Sequence, residues 1–302
     1  MRLEGRIETR FTTTGRMILV TGAGGKTGRT LIKALSKVES VCAFVRREGY
    51  VPVAKSFGAE KAVVGNMQDE NSLRTAMQVV RAVYHICPNM NPDEVGIGKL
   101  IIDLARANGV EHFIYHSVLH PQIERMPHHW KKLRVEEMLF ESGLPFTILQ
   151  PAPYMQNLMA GWKSIVEDGV LRAPYSINSK ISFVDLEDVA EVAKTVLTEP
   201  NHFNATYELV GTQPSSHVEV AEILSRVLNR PVRAENEEIN DWRLRAKELS
   251  EYAVENLVNM FEYYHERGLR GNPNVLKWLL GREPTSLEMF FERTMKERNL
   301  VH

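Results

Sequence analysis

The sequence predicts an α/β fold in which a doubly wound parallel sheet is followed by a smaller, mainly helical C-terminal lobe. Short apolar runs alternate with stretches of helical periodicity through the first half of the chain, which is typical of successive β-α-β units. The apolar runs are continuous, as expected for strands buried on both faces. After residue 151 the alternation stops and helical patterns dominate.

Each element is predicted from a local signal. Strands are expected at 17–22, 41–47, 61–66, 82–88, 112–118 and 146–152. The helices between them begin at capping residues, as in DENSLRTAMQVV, or end at glycine, as in HHWKKLRVEEMLFESGL. ISFV at 181–184 predicts a further strand, Asp185 and Asp188 fit the cap of the next helix, and ATYELVG at 205–211 predicts the last strand. The rest of the chain reads as mostly helical, including the aromatic-rich MFEYYHERGL at 260–269.

These elements divide the chain into two expected domains. Residues 17–153 and about 183–211 would form a Rossmann-type nucleotide-binding domain, and about 154–182 and 212–302 a substrate lobe. Ligands of doubly wound sheets bind beyond the carboxyl ends of the strands, so a lobe placed there would wall a cleft. Residues 1–16 carry Arg and Glu but no apolar segment, which predicts a flexible extension rather than a secretory signal.

Composition limits the partners. The 302 residues are 43% hydrophobic and 25% charged, with a formal net charge of -1, so no strong field favours nucleic acid or an anionic membrane. No apolar stretch approaches the ~20 residues of a membrane span. Cys42 and Cys87 are isolated within apolar runs, which favours a reducing compartment. We therefore expect a cytoplasmic monomer or homodimer that binds small molecules.

The stretch VTGAGGKTGRT at 20–30 carries the main functional signal. A triphosphate-binding loop requires Gly-x-x-x-x-Gly-Lys-Ser/Thr, but Val20 stands five residues before Gly25. Gly22, Gly25 and Gly28 instead recur every third residue between a strand and a helix. That spacing lets the backbone approach a pyrophosphate and directs helix N-terminal amides at it. It predicts a dinucleotide-binding turn; the alternative is a tight turn without a ligand.

The end of the second predicted strand indicates which dinucleotide is bound. An acid at this position accepts hydrogen bonds from a free ribose 2′-hydroxyl, whereas arginine accommodates a 2′-phosphate. The strand ends FVRRE, with Arg46 at its tip. Arg46 favours NADP(H) over NAD(H), and Lys26 is a candidate second cation for the same phosphate. Glu48 leaves NAD(H) as the alternative.

Together the motifs resemble a known family. TGAGGKTG, FVRR, GNMQDENSL, YHSV, HHWKKLRVEEMLFESGLPFTILQPAPYMQN, ISFVDLEDVAEV and LLGREPTSLEMFFER are similar to the atypical short-chain dehydrogenase/reductases of the NmrA-like group. The resemblance extends from Met17 to the last predicted helix. It implies either an NAD(P)H-dependent reductase of quinones, dyes or enones, or a redox-sensing protein without established turnover.

The resemblance also suggests catalytic residues. Where typical short-chain reductases carry Tyr-x-x-x-Lys, this helix has His128-x-x-x-Lys132. The resemblance implies that Lys132 binds the nicotinamide ribose and places positive charge near a developing oxyanion. Neutral-range titration would let His128 relay a proton, and Ser117 would face the nicotinamide. The alternatives are a solvated helix residue for Lys132 and a cap or surface residue for His128.

The remaining candidates lie at strand ends. The expected cofactor-binding set is Gly22, Gly24, Gly25, Lys26, Thr27, Gly28, Arg46, Asn66, Met67, Ile86, Cys87, Pro88, Ser117, Lys132, Pro151, Pro153 and Tyr154. Tyr154, Asn157 and Trp162 are the expected substrate wall, with plain packing as the alternative for Trp162. Relatives usually carry Asp at the Asn66 position and Arg at the Gln150 position.

Two other chemistries are disfavoured. His85, His116, His120, His128 and His129 match no zinc spacing, so no metal is expected. No Gly-x-Ser-x-Gly elbow supports a hydrolase. The leading hypothesis is an NAD(P)H-dependent reductase of a small apolar electron acceptor. The alternative is a non-catalytic NADP(H) sensor acting through a protein partner; direct DNA binding lacks a basic face.

Overall fold

The computed structural model describes residues 16–298 and contains nine strands in two sheets. The strands are β1 Met17–Val20, β2 Val41–Val45, β3 Lys61–Val64, β4 Val80–His85, β5 His112–His116, β6 Phe146–Pro151, β7 Val170–Ala173, β8 Ala205–Leu209 and β9 Arg233–Asn236. The main sheet is parallel with the order β3-β2-β1-β4-β5-β6-β8, and β7 pairs with β9 in a second parallel sheet.

Helices connect and cover these strands. They are α1 Lys26–Leu35, α2 Val51–Ser56, α3 Glu70–Met77, α4 Glu94–Ala107, α5 Pro127–Ser142, α6 Trp162–Asp168, α7 Leu186–Thr198, α8 His217–Val227, α9 Ile239–Arg245, α10 Glu251–Arg267, α11 Asn274–Leu280 and α12 Leu287–Glu297. Short 3₁₀ turns cover Glu48–Tyr50 and Met155–Gly161. Within residues 16–298, no helix is both long enough and apolar enough to span a bilayer.

The predicted doubly wound fold is confirmed. The chain runs from β1 outward to β3, then returns to the other side of β1 through β4, β5 and β6. The strand order therefore reverses between β1 and β4, and open α/β sheets bind ligands at such a switch point. Most of the predicted extension at residues 1–16 lies outside the described residues. Arg16 is described and pairs with Glu111 at 3.0 Å.

Both faces of the sheet are buried, as the continuous apolar runs predicted. Alternate residues of β1 enter different clusters: Ile18 and Val20 pack with α1, α7 and the C-terminal segments, whereas Leu19 packs with α3, α4 and α5. Each buried aliphatic side chain of this kind contributes about 1.5–3 kcal/mol. The first cluster continues to Phe291 in α12, so the C-terminal helices share a core with the sheet. The division into two domains at the expected boundaries stays a proposal.

The C-terminal half departs from prediction in two places. The strand expected at 181–184 was wrong: Ile181 and Val184 form only isolated bridges, to Ser215 and Leu269 and to Tyr154 respectively. These bridges lead to three separate parts of the chain, so no continuous ladder forms. Conversely, β7 and β9 were not predicted, because arginine interrupts the β7 sequence VLRA and the β9 sequence RAEN has no apolar run.

Two aspartates anchor α7. Asp185 caps the helix, as expected, by accepting the Glu187 amide at 3.2 Å. Asp188 is not a cap. Its buried carboxylate accepts the Thr285 amide at 2.7 Å, the Thr285 hydroxyl at 3.0 Å and the Arg282 guanidinium at 2.7 Å. It thereby holds the segment before α12 against α7.

We predict that Asp188→Ala lowers the free energy of unfolding by about 2–3 kcal/mol, because the buried Thr285 amide loses its acceptor. Urea denaturation measures the change. Glu191→Ala is the matched control, since Glu191 contacts the same Arg282 at the surface and its loss should cost less than about 1 kcal/mol. Equal losses in the two variants would contradict this role for Asp188.

Candidate functional site

A cavity of about 1640 Å³ opens where the strand order reverses. The carboxyl ends of β1, β4, β5 and β6 form its floor. At one end lies the glycine-rich turn, and at the other lie aromatic side chains from the segment after β7 and from α10. Single small-molecule sites measure about 300–1,000 Å³, so the cavity has room for a dinucleotide and a second small molecule.

The glycine-rich turn brings the start of α1 to this cavity. Gly22 has φ +61°, and a Cβ there would lie 2.9 Å from the Ile86 carbonyl oxygen. A Cβ at Gly28 would lie 2.5 Å from the Gly22 carbonyl oxygen, so only glycine allows α1 to approach. Gly25 is the N-cap and supplies no side chain to the first-turn amides of α1. Such a helix terminus suits a phosphate anion.

A tyrosine that was not predicted completes the turn. The Tyr50 ring packs across Gly24, where an added Cβ would lie 3.1 Å from it. Arg29 lies over the same ring at 5.9 Å and donates to the Gly24 carbonyl at 2.8 Å. Tyr50 follows β2 in a 3₁₀ turn, and no local motif marks it.

Two cations at the cavity occupy different places. Arg46 is exposed at the tip of β2 and has no hydrogen-bond or ion-pair partner among residues 16–298. Lys26 instead donates to the Asn157 side chain at 2.6 Å and lies 5.4 Å from the Tyr154 ring centroid. Burial lowers the pKa of Lys26. Lys26 therefore contacts the segment after β6, and nothing in its contacts supports its suggested help with a 2′-phosphate.

Most residues expected to bind a cofactor line the cavity: Gly22, Gly24, Gly25, Lys26, Thr27, Arg46, Met67, Ile86, Cys87, Pro88, Ser117, Lys132, Pro151, Pro153 and Tyr154. Two do not. Gly28 is buried beneath the turn and acts there through packing. Asn66 is exposed outside the cavity, and its side chain accepts the Gln68 amide at 3.1 Å.

Lys132 forms a buried ion pair at the floor of the cavity. Its ammonium donates to the Glu94 carboxylate at 2.9 Å, and the Tyr115 hydroxyl donates to the same oxygen at 2.8 Å. Burial opposes ionisation of Glu94, but Lys132 and Tyr115 outweigh it and lower the pKa of this carboxyl. Glu94 opens α4, far from Lys132 in sequence, so local spacing could not reveal the pair.

Ser117 also has a buried acidic partner. Its hydroxyl donates to Glu136, and the Gln150 amide donates to both Glu136 oxygens at 2.9 and 3.0 Å. Burial raises the pKa of Glu136. These contacts give Gln150 a structural role and direct the Ser117 hydroxyl toward Glu136. Glu136 lies four residues after Lys132 on one helix face, a spacing that could have signalled it.

Several histidines beside the cavity are held neutral. Burial lowers the pKa of His128 to about 2 and that of His116 to about 3. His128 lines the cavity, and its Nδ1 atom has no hydrogen-bond partner among the described residues. Near neutral pH it carries no extra proton. Proton relay by His128 thus stays a prediction, and any relay near neutral pH would have to start from the neutral imidazole.

A chain of hydrogen bonds runs from the sheet to the cavity. The Tyr84 hydroxyl lies 2.7 Å from His116 Nδ1, and His116 Nε2 lies 2.5 Å from the Tyr154 hydroxyl. Tyr84 and His116 are buried, whereas Tyr154 is partly exposed at the cavity wall. The sequence predicts Tyr154 at this cavity, whereas its pattern assigns no role to His116.

The far end of the cavity is an aromatic chamber, defined by Tyr175, His217, Trp242, Phe261 and Tyr264. Tyr175 meets Phe261 and Tyr264 with ring centroids 5.9 and 5.5 Å apart. The aromatic-rich α10 thus contributes to the cavity as well as to lobe packing.

Two of the three predicted substrate-wall residues line the cavity. Asn157 and Tyr154 do so, whereas Trp162 packs in the hydrophobic core with 9% exposure and does not reach it. This position fits the packing alternative for Trp162. Across residues 16–298, no three His, Cys, Asp or Glu side chains converge as metal ligands would.

A doubly wound sheet with a glycine-formed phosphate cradle at its switch point defines a dinucleotide-binding protein of the Rossmann class. The chain belongs to the NmrA-like family, whose model matches residues 14–297. The resemblance drawn from the sequence motifs is thereby confirmed.

Three relatives illustrate the family. The chain is 31% identical over 220 residues to an NAD(P)H azoreductase of Xenophilus azovorans, covering 72% of this chain and 76% of that protein. It is 26% identical over 297 residues to prestalk A differentiation protein A of Dictyostelium discoideum, covering 95% of each. An NADPH-dependent quinone oxidoreductase of Escherichia coli, solved with NADPH, superposes with a TM-score of 0.80 at 25% identity, covering 92% of this chain and 100% of that one.

The buried histidines predict acid sensitivity. Burial lowers the pKa of His112 from 6.5 to about 4, so between these values the unfolded chain binds a proton that the folded chain does not. Stability should fall with decreasing pH in this window, by about 1.4 kcal/mol per pH unit for each such histidine. His112→Gln should reduce the slope of unfolding free energy against pH by one proton. His265→Gln, at an exposed site, is the control; equal slopes for both variants would contradict the prediction.

Proposed function

We propose that the protein is an NAD(P)H-dependent reductase that transfers hydride to a small apolar acceptor such as a quinone or conjugated carbonyl. The observation that carries this proposal is the single cavity that joins a phosphate cradle to an aromatic chamber. Its relatives named as an NAD(P)H azoreductase and an NADPH-dependent quinone oxidoreductase support the same chemistry.

The residues at the cradle fit a nicotinamide dinucleotide. The first-turn amides of α1 would hold the diphosphate, and Arg46 would pair with a 2′-phosphate, which favours NADP(H) over NAD(H). Ile86, Cys87 and Pro88 would border the central riboses. When bound, the cofactor supplies the hydride, and the chain's own residues align the acceptor and manage the proton.

The aromatic chamber fits the acceptor. Tyr175, Phe261 and Tyr264 offer ring faces and edges to a flat apolar molecule. Lys132 would approach the nicotinamide ribose from the floor, although Glu94 balances its charge. The Ser117 hydroxyl donates to Glu136. Ser117 would therefore contact the nicotinamide by packing and not through a hydrogen bond from its hydroxyl.

The hydrogen bonds of Lys132 and Ser117 also favour a second candidate function, a non-catalytic NADP(H) sensor. Lys132 and Ser117 are both tied to buried carboxylates, which suits a protein that binds NADP(H) without turning it over. In that case the protein would report the NADP(H) ratio to a protein partner. Turnover separates the two candidates.

NADPH absorbance followed against a panel of quinones and enones tests the proposal. We expect turnover by the wild type and a loss of about 100-fold in kcat/KM for Lys132→Ala, because positive charge near the developing oxyanion is removed. Lys131→Ala is the matched control: Lys131 donates to the Pro92 carbonyl and lies outside the cavity. Thermal unfolding verifies that both variants fold. NADPH binding without turnover on the whole panel would favour the sensor.

Cofactor preference provides a separate prediction. Arg46→Ala should weaken NADPH binding about tenfold to a hundredfold, the effect of a lost charge-assisted phosphate contact, and leave NADH binding nearly unchanged. Fluorescence titration with both nucleotides measures the ratio. Arg47→Ala is the control, since Arg47 does not line the cavity. Parallel weakening of NADPH and NADH would count against a 2′-phosphate site at Arg46.

A further inference from the structure

We propose that Tyr154 is the proton donor of this reduction and that His116 is the positioning residue that orients its hydroxyl. The inference rests on the proposed reductase function and adds to it the source of the proton. The family resemblance predicts the proton donor on α5, where His128 stands four residues before Lys132. The structure places a phenol at the same cavity from another element, the segment that follows β6.

The burial of Tyr84 fixes the direction of the hydrogen bonds that run from Tyr84 through His116 to Tyr154. Tyr84 is 1% exposed, and among residues 16–298 the partner of its hydroxyl is His116 Nδ1. A buried phenol must donate its hydrogen, so Nδ1 accepts it. A neutral imidazole carries one proton, which then lies on Nε2 and is donated to the Tyr154 oxygen. The Tyr154 hydrogen is consequently free to point into the cavity.

The surroundings of Tyr154 suit a donor that becomes briefly anionic. Burial raises the pKa of Tyr154, so the phenol is protonated near neutral pH, while a hydrogen bond with the Thr27 side chain opposes that rise. His116 Nε2 lies within donating distance of the same oxygen. The Lys26 ammonium lies 5.4 Å from the ring centroid. The His116 Nε2–H group and the nearby Lys26 cation would stabilise the phenolate that proton donation leaves behind.

The acceptor carbon gains a hydride, with its two electrons, from C4 of the nicotinamide, and a C–H bond forms while the nicotinamide is oxidised. Negative charge develops on the acceptor oxygen. The O–H bond of Tyr154 breaks, and its proton moves to that oxygen. A proton from bulk solvent then restores the Tyr154 phenol, so that the overall reaction consumes one hydride and one solvent proton.

This role can be tested by comparing two classes of acceptor: one whose reduction consumes a proton and one whose reduction does not. A quinone or enone takes up a hydride and a proton, whereas a cationic triarylmethane dye becomes a neutral product on gaining hydride alone. Tyr154→Phe should lower kcat for enone reduction about 100-fold and abolish its solvent deuterium isotope effect. The loss in dye reduction should be much smaller than the loss in enone reduction, so the ratio of the two kcat values is the measured quantity, with NADPH affinity titrated alongside. Tyr207→Phe is the matched control, because Tyr207 also contacts a histidine, His202 at 3.1 Å, outside the cavity.

The role of His116 has a test that needs no turnover. In the cofactor-free protein, ¹⁵N NMR of the imidazole should show the proton on Nε2. His116→Gln, which retains an N–H donor, should keep more enone reduction than His116→Leu. A proton on Nδ1 would overturn the assigned direction and with it the proposal.

Other outcomes distinguish failure of proton donation by Tyr154 from failure of the proposed reductase function. Equal losses with enone and dye in Tyr154→Phe would overturn proton donation and leave the reductase function standing. An unchanged enone rate and isotope effect would do the same. Wild-type protein that binds NADPH but reduces neither class of acceptor would overturn the proposed function and this inference together.

Discussion

The close approach of α1 to the end of β1 is the constraint on which the rest of the site depends. A Cβ at Gly28 would lie 2.5 Å from the Gly22 carbonyl oxygen, a distance that backbone atoms cannot relieve without moving the helix. The approach directs the first-turn amides of α1 into the cavity. It also seats α1 against α7, and Asp188 in α7 holds the segment before α12. One contact between glycines thus positions both the phosphate cradle and the C-terminal helices.

Charge balance beneath the cavity is the second organising feature. Glu94 forms an ion pair with Lys132 and accepts a hydrogen bond from Tyr115, whereas Glu136 accepts hydrogen bonds from the neutral Ser117 and Gln150. Unpaired charges at this depth would cost several kcal/mol each. The neighbouring histidines stay neutral for the same reason. The floor is therefore a rigid polar layer, and Arg46 and Lys26 are the charged side chains of the cradle that remain accessible to a ligand.

The sequence was most informative where a signal is local. The strand ends, the glycine spacing and Arg46 each depend on adjacent residues, and the fold inferred from them is confirmed. The partners of Lys132 and Ser117 were missed or unassigned because they come from other elements, and Tyr50 because no motif marks it. ISFV has strand-like composition, but its residues face three separate neighbours. Trp162 illustrates the limit for aromatic residues, since composition alone does not separate a cavity wall from a core.

The segment after β6 links the two ends of the cavity. Asn157 binds Lys26 from the glycine turn, and Tyr154 binds His116 at the end of β5. A ligand phosphate at the start of α1 would compete with Asn157 for the Lys26 ammonium, because both offer it an oxygen acceptor. Release of Asn157 would change the wall that faces the aromatic chamber. If the protein binds a nucleotide and an acceptor as proposed, Asn157 and Lys26 would link the two sites in a reductase and in a sensor alike. The orientation of the Tyr154 hydroxyl is the feature that only a reductase would require.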